Sequence, residues 1–367
     1  MGLGTNSVPI GKIEVSCYRV PTDAPESDGT LQWDSTTLVL VTVGAGNCRG
    51  LGYSYADTAT ATLIRDKLAA LVEGRDALDI PGAWSAMVHA IRNLGRPGIA
   101  SMAIAAVDNA LWDLKARLLD LPLFKLLGAE REAIPVYGSG GFTSYSDNEL
   151  REQLGGWTEA GLRMVKMKVG REPERDAARV RVVRKAIGDA RLFVDANGAY
   201  TRKQALALAG PFADSGVSWF EEPRPSSDLA GLRLIRDRAP AGMDISAGEY
   251  GYDIVYFRRM LEAGAVDVMQ ADATRCAGIS GLIGVAALCE AFELPLSSHC
   301  APALHVHPLC ALRPAIHGEY FHDHVRIERM LFDGAPEAVG GALHPDRSRP
   351  GLGLEFKEKD AARYAVN

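Results

Sequence analysis

RMVKMKVG, residues 163–170, alternates Val165, Met167 and Val169 with Lys166 and Lys168, the period-two pattern of a strand whose two lysines share one face. Downstream of Lys168, apolar runs end at regular intervals in a residue suited to metal or proton chemistry: Asp195, Glu221, Glu249, Asp272, His299 and Glu319. The successive gaps are 27, 26, 28, 23, 27 and 20 residues, close to the roughly 25 to 30 consumed by a strand, a helix and two loops. LFVDAN, SWFEEP, DISAGE, VDVMQADA and LPLSSHCAP supply the strands between, each followed by a helix-like stretch. A parallel βα barrel presents the carboxyl ends of all its strands at one mouth, so these polar residues converge on one pocket.

Upstream, Ala133–Tyr137 reads as barrel strand one and residues 147–160 as the helix before strand two; residues 316–320 read as strand eight. The first third breaks this rhythm. Ile13–Val20 and Thr36–Val43 look like strands separated by a long polar loop, TDAPESDGTLQWDS. A third piece at Leu51–Tyr55 precedes helical patterns over 57–73, 82–93 and 99–119. The fold class is therefore α/β: residues 131–324 form the barrel, and residues 1–130 form an α+β domain against which the tail, 325–367, packs back.

With 367 residues, burying a large core is easy. A net charge of -6 gives no electrostatic reason to expect nucleic acid. Small molecules are the expected ligands. The six cysteines include no CxxC pair and read as reduced thiols, while MGLGTNSVPIGK lacks a signal-peptide core and places Asn6 where myristoylation wants Ser or Thr. No apolar run approaches the roughly 20 residues of a membrane span, so the expectation is a cytoplasmic protein.

Asp195, Glu221 and Glu249 close three consecutive strands, and three hard carboxylates facing one cavity suit Mg²⁺. Asn197 lies on the same side as Asp195 and is a candidate support, whereas alternation turns Glu222 away from Glu221. Desolvation, a second ammonium and a nearby cation all disfavour protonated Lys166 and Lys168, so either can act as a base. Asp272 and His299 end adjacent strands and make a carboxylate–imidazole dyad. Glu319 donates a proton or hydrogen bond if an acidic, partly apolar site raises its pKa. His305 and His307 face different ways on a helix and are given no metal role; His317, His322 and His324 are expected at the surface.

The KMK of Lys166–Lys168, DAN at Asp195, EEP at Glu221, SAGE ending at Glu249, ADATRCAGISG around Asp272, SSH at His299 and GEY at Glu319 together resemble the enolase superfamily, in its mandelate racemase subgroup. The resemblance runs essentially the whole length, including ALWDLKARLLDLPLFKLLGA from Ala110. Muconate lactonizing enzymes place a lysine where Asp272 stands and lack the strand-seven histidine. Two departures are Ala277, where glycine is frequent, and a first capping loop unlike that of mandelate racemase itself, which argues against mandelate as substrate.

The resemblance implies a modified (β/α)7β TIM barrel with a capping domain completed by the tail, one Mg²⁺ per subunit, and a homo-oligomer. Substrate specificity is implied for two capping loops, Thr22–Ser35 and Leu51–Tyr55, which nominate Trp33 and Tyr53. The implied first step is removal of the proton α to a carboxylate, with Lys168 and His299 addressing opposite faces of that carbon and Lys166 and a protonated Glu319 stabilising the charge. Dehydration of an aldonic or aldaric acid to a 2-keto-3-deoxy acid is the favoured outcome, and racemisation or epimerisation of a 2-hydroxy acid is the rival. A noncatalytic carboxylate-binding barrel is the alternative of another class.

Overall fold

Three antiparallel strands open the fold: β1 (Ile10–Ser27), β2 (Gln32–Ala45) and β3 (Cys48–Tyr55). The structure is a computed structural model and describes residues 7–366; Asn6, weighed above against lipidation, lies outside the described residues. The expected long loop after Val20 is mostly strand. β1 runs through Pro21 and Pro25 with a register shift between Pro21 and Glu26, and Glu26 then pairs with Trp33. A bulge absorbs the prolines that made this stretch read as loop. The turn closes because Asp28 Oδ1 accepts hydrogen bonds from the Thr30 and Leu31 N–H groups at 2.6 and 2.7 Å.

One face of this sheet packs on a 20-residue helix, Ile99–Leu118. Gly52 makes that approach possible, since a Cβ there would lie 2.2 Å from the Ala110 nitrogen. The same helix docks the cap onto the barrel. Asn109 donates to the Ala273 carbonyl at 3.2 Å and accepts from the Ile279 N–H, while Asp108 accepts from the Ser280 N–H and hydroxyl. The carboxylate of Asp108 thereby meets the first turn of the helix Gly278–Ala291, where backbone N–H groups lack partners.

Eight parallel strands follow: β4 (Ile134–Gly140), β5 (Met164–Lys168), β6 (Arg191–Asp195), β7 (Val217–Glu221), β8 (Asp244–Ala247), β9 (Val268–Ala271), β10 (Leu296–Ser298) and β11 (Ala315–Phe321). They pair in sequence order, and β11 returns to β4 with Glu319 opposite Tyr137, closing the barrel. A helix follows every strand, including β11, where His322–Leu331 leads into the tail. An added strand at Ala342–Leu343 pairs antiparallel with β4, and Ala365–Val366 pairs with β1 at Tyr18 and Cys17. The tail thus spans both parts of the fold. Among the described residues no helix is long and apolar enough to cross a membrane, and all six cysteines are unpaired.

Below the mouth, Tyr137, Phe193 and Trp219 fill the barrel interior together with His317. His317 is therefore buried rather than at the surface, and desolvation pulls its pKa down to about 3. Its Nδ1 lies 2.9 Å from the Ser297 hydroxyl.

Candidate active site

The acids at the ends of β6 and β7, and the one just past β8, converge. Asp195, Glu221 and Glu249 are buried, and one oxygen from each lies within 4.8 Å of the others. Parallel pairing sets Lys168 beside Asp195 and Asp195 beside Glu221 across adjacent strands. Glu249 reaches the group through Gly248, whose φ of 142° and close approach to the Gln270 carbonyl, 2.0 Å from a hypothetical Cβ, exclude any side chain. Asn197 takes a left-handed φ of 45° and donates its backbone N–H to Asp195 at 2.9 Å. The Trp219 indole donates to Glu221 at 2.9 Å, a buried support the sequence reading did not single out.

Two lysines enter this acid layer from β5. Lys166 is fully buried and donates to both Glu221 oxygens at 2.7 Å and to Glu319 at 2.7 Å. Lys168 donates to Asp195 at 2.6 Å and lines the open cavity. Among the protein groups alone, the expectation of neutral lysines fails: desolvation pulls each amine down, but Glu221 for Lys166 and Asp195 for Lys168 hold them above the ordinary range. Glu319 is also corrected. Burial favours its neutral form, yet Lys166 and then His299 hold its carboxyl well below the usual value. Ser139 donates to one of its oxygens at 2.6 Å and the Cys300 N–H to the other at 2.8 Å, so Glu319 is an acceptor.

His299 follows β10 and meets Asp272, which follows β9, at 2.8 Å through Nδ1. The second Asp272 oxygen is occupied by the Thr274 N–H and hydroxyl, both at 2.7 Å. With only acceptors opposite it, Nδ1 carries the proton and Nε2 faces the cavity. Desolvation opposes charge on the ring, but Glu249 with Glu319 and Asp272 raise its pKa above the ordinary histidine value. Nε2 stands 3.4 Å from Glu249 and 3.3 Å from the Cys300 thiol. Lys168 therefore touches the acid triad on its Asp195 side and His299 touches it on its Glu249 side.

Two neighbours, Arg275 and Cys300, escaped the sequence reading, and a third, Glu222, was placed by strand alternation, which does not hold there. Glu222 has φ 37°, which breaks the strand alternation, and it is buried with an unpartnered Oε1; burial, Glu249 and Asp195 push its carboxyl upward. Arg275, three residues after Asp272, donates to the Glu249 carbonyl and carboxylate at 3.2 and 3.3 Å and lies over Tyr250. Cys300 is held with φ 50° directly beside His299. Their local conformations, not their spacing, bring them to the site.

A cavity of about 410 Å³ opens above this layer. Trp33 and Asn197 line it, whereas Tyr53 does not. Tyr53 lies on the same face of β3 as Tyr55 but is buried deeper under the sheet, where it donates to Glu328 at 2.6 Å, so Tyr55 takes the cavity position nominated for it. His324, expected at the surface, is buried beneath a stacked Tyr55 and lines the cavity. His322 is half-buried and bonds Asp23, while His305 and His307 are buried in the helix Pro302–Ala311, where they bond backbone groups.

The donor set fits a hard divalent cation. All three candidate ligands offer oxygen, Glu249 Oε2 and Asn197 Oδ1 have no hydrogen-bond partner, and no sulfur or imidazole enters the triad.

Both parts of the chain resemble known proteins. Residues 12–128 match the family model for "Mandelate racemase / muconate lactonizing enzyme, N-terminal domain", and residues 149–361 match "Enolase C-terminal domain-like". The chain is 32% identical to a 3,6-anhydro-alpha-L-galactonate cycloisomerase of Streptomyces coelicolor over 95% of this chain and 98% of that relative. A mandelate racemase/muconate lactonizing enzyme-like structure from Rubrobacter xylanophilus superposes with TM-score 0.96 at 56% identity, covering 98% of this chain and 100% of the other. The L-talarate/galactarate dehydratase of Salmonella typhimurium, liganded with Mg and L-lyxarohydroxamate, superposes with TM-score 0.90 at 26% identity over 100% of this chain and 95% of its own.

Proposed function

The chain belongs to the mandelate racemase / muconate lactonizing enzyme family of the enolase superfamily, and on that premise we propose that it is a Mg²⁺-dependent acid sugar dehydratase. The observation that carries this reading is the buried carboxylate triad, touched by Lys168 at 2.6 Å on one side and by the Asp272–His299 dyad on the other. Asp195, Glu221 and Glu249 would hold the cation. When bound, Mg²⁺ supplies Lewis-acid charge to a substrate carboxylate and takes up the Asp195 charge that otherwise holds Lys168 protonated.

Lys168 Nζ takes the proton from C2, the carbon α to the carboxylate. Lys166, fixed between Glu221 and Glu319, keeps positive charge beside the developing enediolate. The Nε2–H of protonated His299 gives its proton to the C3 hydroxyl, which leaves as water, and Asp272 keeps the ring oriented throughout. The resulting enol ketonises to the 2-keto-3-deoxy acid. The proton gained by Lys168 returns to His299 through solvent, restoring both groups. Glu319 contributes as an anion that fixes Lys166 and the Cys300 N–H, rather than as a proton donor.

Two bases on strands two and seven equally suit proton transfer from one face to the other, so racemisation or epimerisation is the second reading. The unpaired cysteines suit a reducing cytoplasm. Incubation with Mg²⁺ and a panel of aldonic and aldaric acids, assayed for 2-keto acid, tests the first reading. Formation of a 2-keto-3-deoxy acid supports it; configurational change at C2 without 2-keto acid supports the second.

A further inference from the structure

We infer that the cavity selects monocarboxylate sugar acids, aldonates, over the dicarboxylate aldarates. This rests on the dehydratase reading, because the first carboxylate is assumed to sit at the triad. The charge of the remaining wall then decides what the far end of the substrate can be.

Two strong cations face the cavity, and both are committed. Lys168 stands at the triad beside Asp195, where it serves C2 at the reacting end of the substrate, and Arg275 holds the carboxylate and carbonyl of Glu249 with its plane covered by Tyr250. The cavity-lining His324 is neutral near pH 7, since burial, with His299 nearby, pulls it down to about 3. On the capping side the wall carries the apolar Leu31, Trp33 and Ala56, the hydroxyl residues Ser35 and Thr37, and two acids, Asp28 and Asp57, while the Thr36 hydroxyl is taken by Asp323 and that of Tyr55 is buried.

Both acids are held in place. Asp28 Oδ1 is fixed by the Thr30 and Leu31 N–H groups, and Asp57 caps the helix Thr58–Leu63 by accepting from the Ala59 N–H at 2.8 Å. Neither can turn away without breaking its turn or its cap. A distal carboxylate entering here meets two like charges and no uncommitted cation, whereas a distal hydroxymethyl group meets donors and acceptors it can pair with. Selectivity of this kind comes from repulsion of the wrong ligand.

The test uses the whole protein with Mg²⁺ and matched stereochemical series of hexonates and hexarates, measuring ligand-induced thermal shift and 2-keto acid formation. The expected result is at least a tenfold higher kcat/KM for the best hexonate than for any hexarate. The variants Asp28→Asn and Asp57→Asn, which preserve turn and cap while removing charge, are expected to narrow that ratio several-fold, chiefly through the hexarate KM. Equal or better turnover of hexarates overturns the inference and leaves the dehydratase reading standing. An unchanged ratio in both variants overturns the assignment to these acids. Absence of thermal shift and turnover in both series defeats the dehydratase reading and this inference together.

Discussion

Gly29, at the tip of the β1–β2 hairpin, is where the cap touches the catalytic layer, and its replacement by alanine isolates that contact. A Cβ at this position would lie 2.5 Å from the Ala196 carbonyl oxygen, 2.7 Å from that of Val169 and 2.9 Å from Ala199 Cβ. Ordinary contact begins near 3.4 Å, so the tip must lift by roughly 0.9 Å in a Gly29→Ala variant, because backbone oxygens inside a barrel do not yield. Ala196 follows Asp195 and Val169 follows Lys168, so the clash falls on the backbone next to a candidate ligand and a candidate base. Misplacement by about 1 Å can cost on the order of 10²-fold in rate, or about 2.7 kcal/mol of transition-state stabilisation. The hairpin can swing outward while the barrel and its core persist, so Tm should change little. Steady-state kinetics on the best sugar acid, with thermal unfolding in parallel, reads both quantities. Gly82→Ala is the control, since nothing lies within 4 Å of its added methyl. Unchanged kcat/KM in Gly29→Ala would refute the reasoning that the docked hairpin is the working conformation.

Asp272→Asn should lower kcat by roughly 10²- to 10⁴-fold with little change in fold, because the amide no longer enforces the Nδ1–H tautomer of His299; kcat within tenfold of wild type would contradict this. Glu249→Gln should abolish the Mg²⁺-induced rise in Tm that the wild type shows in a chelator-controlled titration, and an undiminished rise would remove Glu249 from the ligand set. Glu328, buried beside Tyr53, has its carboxyl pushed by desolvation to about 8. A raised folded-state value means its stabilising contribution is complete below its ordinary value near 4.5 and is lost as pH rises through about 8. Glu328→Gln mimics the protonated form, so denaturant unfolding at pH 5 and pH 9 should show the variant gaining on wild type by about 1–3 kcal/mol; a constant difference would contradict it.

The barrel was legible because each strand end carries a polar residue at the period of the βα unit, and parallel register then leaves those ends no other place to go. Asp195, Glu221, Glu249, Asp272 and His299 follow from that regularity alone. The paired strands Ile13–Val20 and Thr36–Val43 were legible but the outer part of the β1–β2 hairpin was not, since Pro21 and Pro25 mimic a loop and only the shift between Pro21 and Glu26 reconciles them with a strand. Glu222 was misread because alternation fails at a positive φ. Tyr53 and Tyr55 share one face of β3, but only the residue at the strand end clears the sheet to reach the cavity. Protonation states depend on distances, which spacing does not encode: Glu319 has Lys166 at 2.7 Å, and Lys168 has Asp195 at 2.6 Å.

The claim that Lys168 removes the α-proton is tested most directly by following the C2 hydrogen of a sugar acid by NMR in D₂O with Mg²⁺ present, using wild type, Lys168→Met and His299→Asn. The account predicts Mg²⁺-dependent loss of the C2 hydrogen without elimination in His299→Asn, and no loss in Lys168→Met. Exchange at the wild-type rate in Lys168→Met, or exchange indifferent to Mg²⁺, would contradict it.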